Sequence, residues 1–347
     1  MEENLLNNIE LKKLLKEYEQ KRELANRECE KKIESFYSNN TELSNLVDNI
    51  NKTSINLSKS ILSGNEEKIA FFENKLVELK KGKNDILKKL NITNSYFQPE
   101  YECKKCNDTG YLINSNNVMC SCLKQKLIDL QYNKSNIYNL EKDNFDTFND
   151  TLLSDTPDEK RYNSKISPRD NIKNIKKIAK KFIENFDNPD EKNLLFTGNT
   201  GLGKTFLSNC IANEILKQGK TVLYQTSPIM LDEIIDYRFG KKDSFIYENI
   251  LNADLLIIDD LGTENLNGLK FTELFNVINT RLLNQNNHIT KTIISTNLSL
   301  NNLFKNYDER IFSRLVGYYN ICRFYGEDIR INKRWENFSH LLFIKLY

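Results

Sequence analysis

The sequence predicts an α/β fold, a doubly wound domain on a five-stranded parallel sheet, preceded by an α-helical, coiled-coil-like region and a small four-cysteine module. Three observations predict it. Beyond Pro189, short apolar runs at residues 194–197, 222–224, 255–258, 292–295 and 321–324 alternate with amphipathic stretches, and strands covered on both faces lose the alternation of half-exposed ones. Up to about residue 95 there is no proline and only Gly64 and Gly82, while Leu, Ile, Lys, Glu and Asn dominate. Between these regions, four of the seven cysteines fall within 20 residues of one another.

A chain of 347 residues has room for roughly two or three structural units and a sizeable core. Fifty Lys and Arg balance 48 Asp and Glu, for a net charge of +2, so any nucleic-acid surface must be a local patch. With 39% hydrophobic and 28% charged residues, 12 Gly and 5 Pro, collagen-like, low-complexity and wholly disordered classes are excluded. The start, Met1-Glu2-Glu3-Asn4, lacks the basic and then apolar pattern of a secretory leader, and no apolar run approaches the length of a membrane span. A cytoplasmic protein without a membrane partner is expected. In that reducing compartment the seven cysteines do not suggest a disulfide scaffold, and their clustering points to a metal.

Along the chain, apolar residues recur at helical spacing in Leu11, Leu14, Leu15 and Tyr18, then in Ile69, Phe72, Leu76 and Leu79. The pattern breaks near residues 39–41 and 63–65, which predicts a helical hairpin or short bundle over 1–97 rather than one coiled coil. The cysteine module occupies 98–130. A polar, aromatic-dotted connector, 131–165, then passes Phe145, Phe148 and Pro157 and reads as a linker. Ser167, Pro168 and Asp170 together signal a helix start, and Ile172, Ile175, Ala179, Phe182 and Phe186 form that helix's apolar face. The α/β domain is placed at 166–347.

Two motifs in that domain carry chemistry. Gly198, Asn199, Thr200, Gly201, Leu202, Gly203, Lys204 and Thr205 spell G-x-x-x-x-G-K-T between a predicted strand and a predicted helix. Glycines let successive N–H groups turn onto phosphate oxygens, the helix start adds partial positive charge, and Lys204 supplies a mobile cation. ATP with Mg2+ is the expected ligand, Thr205 being one metal ligand. Downstream, the apolar run at 255–258 ends in Asp259 and Asp260, at the carboxyl edge where ligands bind in such sheets. Asp259 is expected to hold Mg2+. Asp260 stands where many such ATPases carry a glutamate that polarises the attacking water; it is one methylene shorter, so hydrolysis is expected to be slow or to need Glu264.

Residues 193–198, 255–262, 293–297 and 309–315 resemble the DnaC/DnaI family of bacterial replicative helicase loaders, a branch of the AAA+ ATPases, across about half of the chain. The resemblance implies a P-loop AAA+ three-layer αβα domain, ATP hydrolysis, and as partners a hexameric replicative helicase, single-stranded DNA and a neighbouring AAA+ subunit. It makes Asn297 the polar residue that positions the lytic water, and Arg310 and Arg314 the source of an arginine finger reaching a neighbour's γ-phosphate. Arg330 resembles the family's second sensor, and Phe206 joins the expected nucleotide contacts. Only 23 residues follow Phe324, too few for the helical lid of many AAA+ proteins, so no separate lid is expected. Transposase-helper ATPases of the IstB type share the same core and remain an alternative, as does a nucleotide-gated adaptor that does not hydrolyse.

Cys103, Cys106, Cys120 and Cys122 form a C-x-x-C and a C-x-C pair, suited to a closed structural Zn2+ site, with reduced or redox-active thiols the alternative. Zinc ribbons of this kind occur in some loaders of Gram-positive bacteria. For nucleic acid, Tyr237, Arg238, Phe239, Lys241 and Lys242 interleave rings with cations, as stacking on a single strand requires. The same run also reads as a solvated charged stretch. The lysines at 173, 176, 177, 180 and 181 read as a solvated helix face.

Overall fold

A computed structural model of the chain describes residues 2–113, 118–130, 143–265, 268–284 and 289–331. Two compact units are distinguished, one over Lys12–Val118 and the other over Met119–Tyr347 with Met1–Leu11. Among the described residues no helix is long and apolar enough to cross a membrane.

The first unit is helical. Helix α1 (Glu2–Ser38), which belongs to this unit from Lys12 onward, is followed by α2 (Thr41–Leu62) and α3 (Glu66–Lys89), with the breaks where the periodicity fails. Between α2 and α3, Gly64 takes a left-handed φ of 67° and the Asn65 side chain caps α3 by accepting from Lys68 N at 3.1 Å. Leu14, Tyr18 and Leu76 are buried, so the predicted stripes are the packed ones. Phe36 at the end of α1 packs against Tyr96 and Phe97, ring centroids 5.2 and 5.5 Å away.

The second unit is the α/β domain. It begins with α4 (Ser121–Ile128) and continues through α5 (Glu159–Tyr162), α6 (Pro168–Glu184), β1 (Asn193–Thr197), α7 (Lys204–Lys217), β2 (Val222–Thr226), α8 (Ser227–Arg238) and α9 (Phe245–Asn252). The chain goes on through β3 (Leu255–Leu261), α10 (Gly268–Asn284), β4 (Lys291–Thr296), α11 (Leu300–Asn306), α12 (Glu309–Tyr318) and β5 (Tyr319–Arg323). All strand pairs are parallel, in the order β2-β3-β4-β1-β5.

Each central strand feeds two cores. Leu194, Phe196, Leu255 and Ile257 pack with α6 and α7, whereas Leu195, Leu256 and Ile258 pack with α8, α9 and α10. This two-sided burial is why the strands read as unbroken apolar runs. Helix α6 starts as its sequence signals: Ser167 accepts from Asp170 N at 3.1 Å, with proline in the first turn.

Three polar devices fix the sheet. The Gln125 side chain pairs with the Val222 backbone in both directions, at 2.7 and 3.0 Å, and so occupies part of the free edge of β2. Arg281, fully buried, donates to Ile250 O, Leu251 O, Lys291 O and Thr292 Oγ1. Burial lowers its pKa to about 10. Lys291 Nζ donates to the carbonyls of Asn188 and Glu191 ahead of β1.

The connector is part of this domain over its described residues. Phe145 and Phe148 pack against the α6–α7 core and Leu153 is buried. Arg169 on α6 holds the segment by donating to Leu153 O and Thr151 O, at 3.0 and 3.1 Å. A polar composition conceals a few apolar anchors that suffice to dock it. Residues 131–142, the remainder of the expected linker, lie outside the described residues, as do residues 332–347.

Candidate nucleotide-binding site

Parallel strands end on one edge, so the loops after β1, β3 and β4 converge. The loop after β1 turns through Gly198, Gly201 and Gly203 at φ of 140°, 74° and 88°, values that disfavour any side chain. A Cβ on Gly201 would lie 2.0 Å from the Asp328 carboxylate, whereas one on Gly203 would meet nothing within 4 Å. Gly203 precedes α7, whose first residue is Lys204. A cavity of about 360 Å³ opens over this loop, bordered by Lys204, Thr205, Asp260, Asn297 and Arg330.

Within it, Lys204 Nζ donates to Gly198 O at 2.6 Å, Asn199 O at 2.7 Å and Asn297 Oδ1 at 2.8 Å. Burial lowers its pKa to about 8, with Asp259 and Asp260 opposing that shift. Thr205 Oγ1 donates to Asp259 Oδ2 at 3.1 Å. The β3–β4 register shifts between Ile258 and Leu261, where Asp260 adopts a φ of 53°. That irregularity breaks the strand's alternation and re-aims the second acid. Asp259 faces Thr205, and Asp260 enters the cavity, where its Oδ1 lies 3.5 Å from Asn297 Nδ2. Burial raises the Asp260 pKa, and the neighbouring Asp259 adds to the shift.

Most of the predicted nucleotide residues therefore meet. Thr200, Gly201, Leu202, Gly203 and Phe206 border the cavity, and Asn199 borders an adjoining opening with Arg161 and Glu327. Glu264 does not join them. It is buried, with Oε2 accepting from Gly262 N at 2.9 Å and Oε1 from the Tyr307 hydroxyl, so it braces the loop after β3 and Asp260 is the acid at the cavity. Arg310 and Arg314 do not border the cavity either. On α12, Arg310 pairs with Asp308 at 2.9 Å, Arg314 donates to Asn279 at 2.8 Å, and both lie over the Phe275 ring.

Two further groups join the site without being expected from the motifs. Thr147, Phe148, Asn149 and Leu152 of the connector form a further wall of the cavity, with Phe148 edge-on to Phe206, centroids 5.4 Å apart. The spacing of Phe145 and Phe148 in a polar stretch was the available signal. Tyr224 and Ser295 reach Asp259 from neighbouring strands; a lone tyrosine in an aliphatic strand was the hint there.

Hard oxygen donors on Thr205 and Asp259, beside a helix start that favours phosphate, suit Mg2+. The cysteine loop suits a softer ion. Asp108 accepts from Cys103 N and Glu102 N at 2.8 and 2.9 Å, and Asn107 and Asp108 take left-handed φ values of 50° and 54°, giving a tight knuckle. The Sγ atoms of Cys103, Cys106, Cys120 and Cys122 lie within 4.8 Å of one another. A zinc–thiolate tetrahedron with bonds of ~2.3 Å has edges of about 3.8 Å, so the set fits Zn2+.

In the expected nucleic-acid patch, Tyr237 stacks on Tyr247 with centroids 5.1 Å apart, and Arg238 pairs with Glu273 at 2.9 Å. Lys241 and Lys242 each pair with an acid at 3.2 Å, on Asp236 and Glu233, while Phe239 is 67% exposed. Among the α6 lysines, Lys176 lies over the Phe148 ring at 4.7 Å.

The sheet order, the phosphate loop and the acids at the end of β3 define an AAA+-like P-loop domain. The family model described as IstB-like ATP binding protein matches residues 158–336, and the chain belongs to that family. The replicative helicase loader DnaC of Escherichia coli K12 is 27% identical over 139 residues, covering 40% of this chain and 55% of that protein. The chromosomal replication initiator protein DnaA of Campylobacter jejuni (strain 81-176) is 36% identical over 123 residues, covering 34% of this chain and 26% of that protein. The match thus spans about half the length of the DnaC relative and a quarter of the DnaA relative. Among solved structures, a DnaC helicase loader aligns at a TM-score of 0.42 and 24% identity, over 54% of this chain and 99% of that one.

Proposed function

We propose that the protein is an ATP-hydrolysing loader that works in an assembly of its own copies on a hexameric replicative helicase and single-stranded DNA. One observation carries this reading. Lys204, Thr205, Asp260, Asn297 and Arg330 gather at one cavity, whereas Arg310 and Arg314, the arginines suited to act in trans, sit apart on α12. An ATP site that needs positive charge from a second copy is silent until copies assemble. The DnaC likeness, a relative named as a helicase loader, points the same way.

In this reading the triphosphate lies on the amides after β1 and against Lys204, and the base lies against Phe148. Thr205 and Asp259 would hold Mg2+, which would supply counter-charge to the phosphates. Asp260 takes the proton of the attacking water that Asn297 orients, and its raised pKa makes it a better base. The helical unit and the cysteine module, with Zn2+ as structural ion, contact the helicase. The patch at 237–242 contacts DNA by exchanging surface ion pairs for phosphates, with Phe239 available to stack.

ATP turnover measured alone, with single-stranded DNA and with helicase tests this. Stimulation by DNA or helicase is expected, and background turnover in every condition despite ATP binding would leave only a nucleotide-gated adaptor. Arg310→Ala should spare ATP binding and lower stimulated turnover by about 10³; an equal loss of binding would refute the role in trans. The family's IstB-like description supports a second reading, a transposase helper. Capture of a transposase in place of a replicative helicase would establish it.

A further inference from the structure

We propose that Tyr224, with Ser295, is a positioning residue that holds the Asp259 carboxylate in its metal-binding orientation. The inference rests on the reading of the cavity as an Mg2+–ATP site.

Tyr224 is 2% exposed and sits on β2 in the same core as Val222 and the buried residues of α7. A phenylalanine would fill the same space, so packing does not explain the hydroxyl, which would be costly to bury without a partner. Its partner is Asp259 Oδ2, to which it donates. From the other side, the Ser295 hydroxyl of β4, fully buried, donates to Oδ1. Thr205 Oγ1 donates to Oδ2 at 3.1 Å and Asp260 N to Oδ1 at 3.0 Å. Asp259, 4% exposed, thus accepts two donors on each oxygen, which occupies the roughly four acceptor sites of a carboxylate.

Those donors differ in what they do when a cation arrives. Thr205 is itself the expected ligand, and Asp260 N belongs to the irregular turn of β3. Tyr224 and Ser295 come from the two strands flanking β3 and are not among the residues that border the cavity. Their hydroxyls keep the carboxylate plane fixed while Thr205 engages the ion. Without Tyr224, Oδ2 depends on Thr205 alone and the carboxylate is fixed chiefly at Oδ1.

The test compares binding of a fluorescent ATP analogue in Mg2+ and in EDTA for wild type, Tyr224→Phe and Ser295→Ala, with melting temperatures. The Mg2+-dependent gain in affinity is expected to fall about tenfold in Tyr224→Phe, the loss of one buried hydrogen bond to a charged group, while binding in EDTA changes less than twofold. Ser295→Ala should lose less, because Oδ1 retains Asp260 N, and it carries the test if Tyr224→Phe does not fold. An unchanged Mg2+ gain, or equal losses in Mg2+ and EDTA, would overturn the proposal. Absence of nucleotide binding by the wild type would instead overturn the Mg2+–ATP reading on which it stands.

Discussion

The two walls of the nucleotide cavity are built by different means. On one side Lys204, Asp260 and Asn297 come from the ends of three structural segments and bond to one another and to the backbone. On the other, Phe148 and its neighbours come from an irregular connector held by packing and by Arg169. The first wall is fixed by the sheet, whose strand ends cannot move separately. The second is fixed by a few side-chain contacts, whose loss a local shift can absorb. Substitutions in the first wall should therefore act on ligand chemistry, and those in the second on affinity and docking of the connector.

The largest effect is expected at Lys204. Lys204→Ala should weaken ATP binding by about a hundredfold through loss of a charged phosphate contact, with little change in melting temperature, since the lysine is held chiefly by loop carbonyls. Fluorescent-nucleotide titration measures this, and an equal loss in Phe148→Ala would abolish the contrast between the walls. Next come the two glycines. Gly203→Ala meets open space and should cost about 1–2 kcal/mol for its left-handed backbone. Gly201→Ala bears the same strain and also drives a Cβ to 2.0 Å from Asp328, so its melting temperature should fall further. Equal melting temperatures would mean that Asp328 yields freely.

The same contrast explains what could be read from sequence. The phosphate loop and the acids of β3 were legible because phosphate binding imposes glycines, a lysine and a strand end at fixed spacing. The five strands were legible because burial on both faces forces apolar runs. Phe148 was not, because one aromatic ring in a polar segment has no period and its partner, Phe206, is distant in sequence. Glu264 misled for a related reason: composition does not say whether an acid faces a cavity or, as here, a buried tyrosine. Tyr224 and Ser295 were missed because contacts across strands depend on register. The Asp260 turn was hidden too, since two acids at a strand end look the same whether the second continues the strand or takes a left-handed backbone.

Phe148→Ala probes the weaker wall. Loss of a half-buried ring that meets Phe206 and Lys176 should reduce ATP affinity about tenfold and lower the melting temperature by several degrees, within the range for truncating packed aromatics. A change confined to stability would mean that the ring docks the connector without meeting the nucleotide.

The smallest effect, and the most local, is expected at Cys210 on α7. Burial raises its pKa to about 12, and Asp143 at the start of the described connector adds to the shift; Asn209 alongside donates to Asp143 at 2.9 Å. Burial likewise raises Cys322 in β5 to about 12. A buried thiol whose pKa lies far above a working pH of 8 is protonated and shielded from reagent, so both should alkylate slowly at pH 8 and faster at pH 9. If the connector is the looser wall, Phe148→Ala speeds alkylation of Cys210 and leaves Cys322 unchanged, as followed by peptide mass spectrometry. Parallel acceleration of both would mean that the whole α/β domain loosens and the walls are not independent. No acceleration at either would mean that the connector stays docked without Phe148, held by Leu153 and the Arg169 hydrogen bonds.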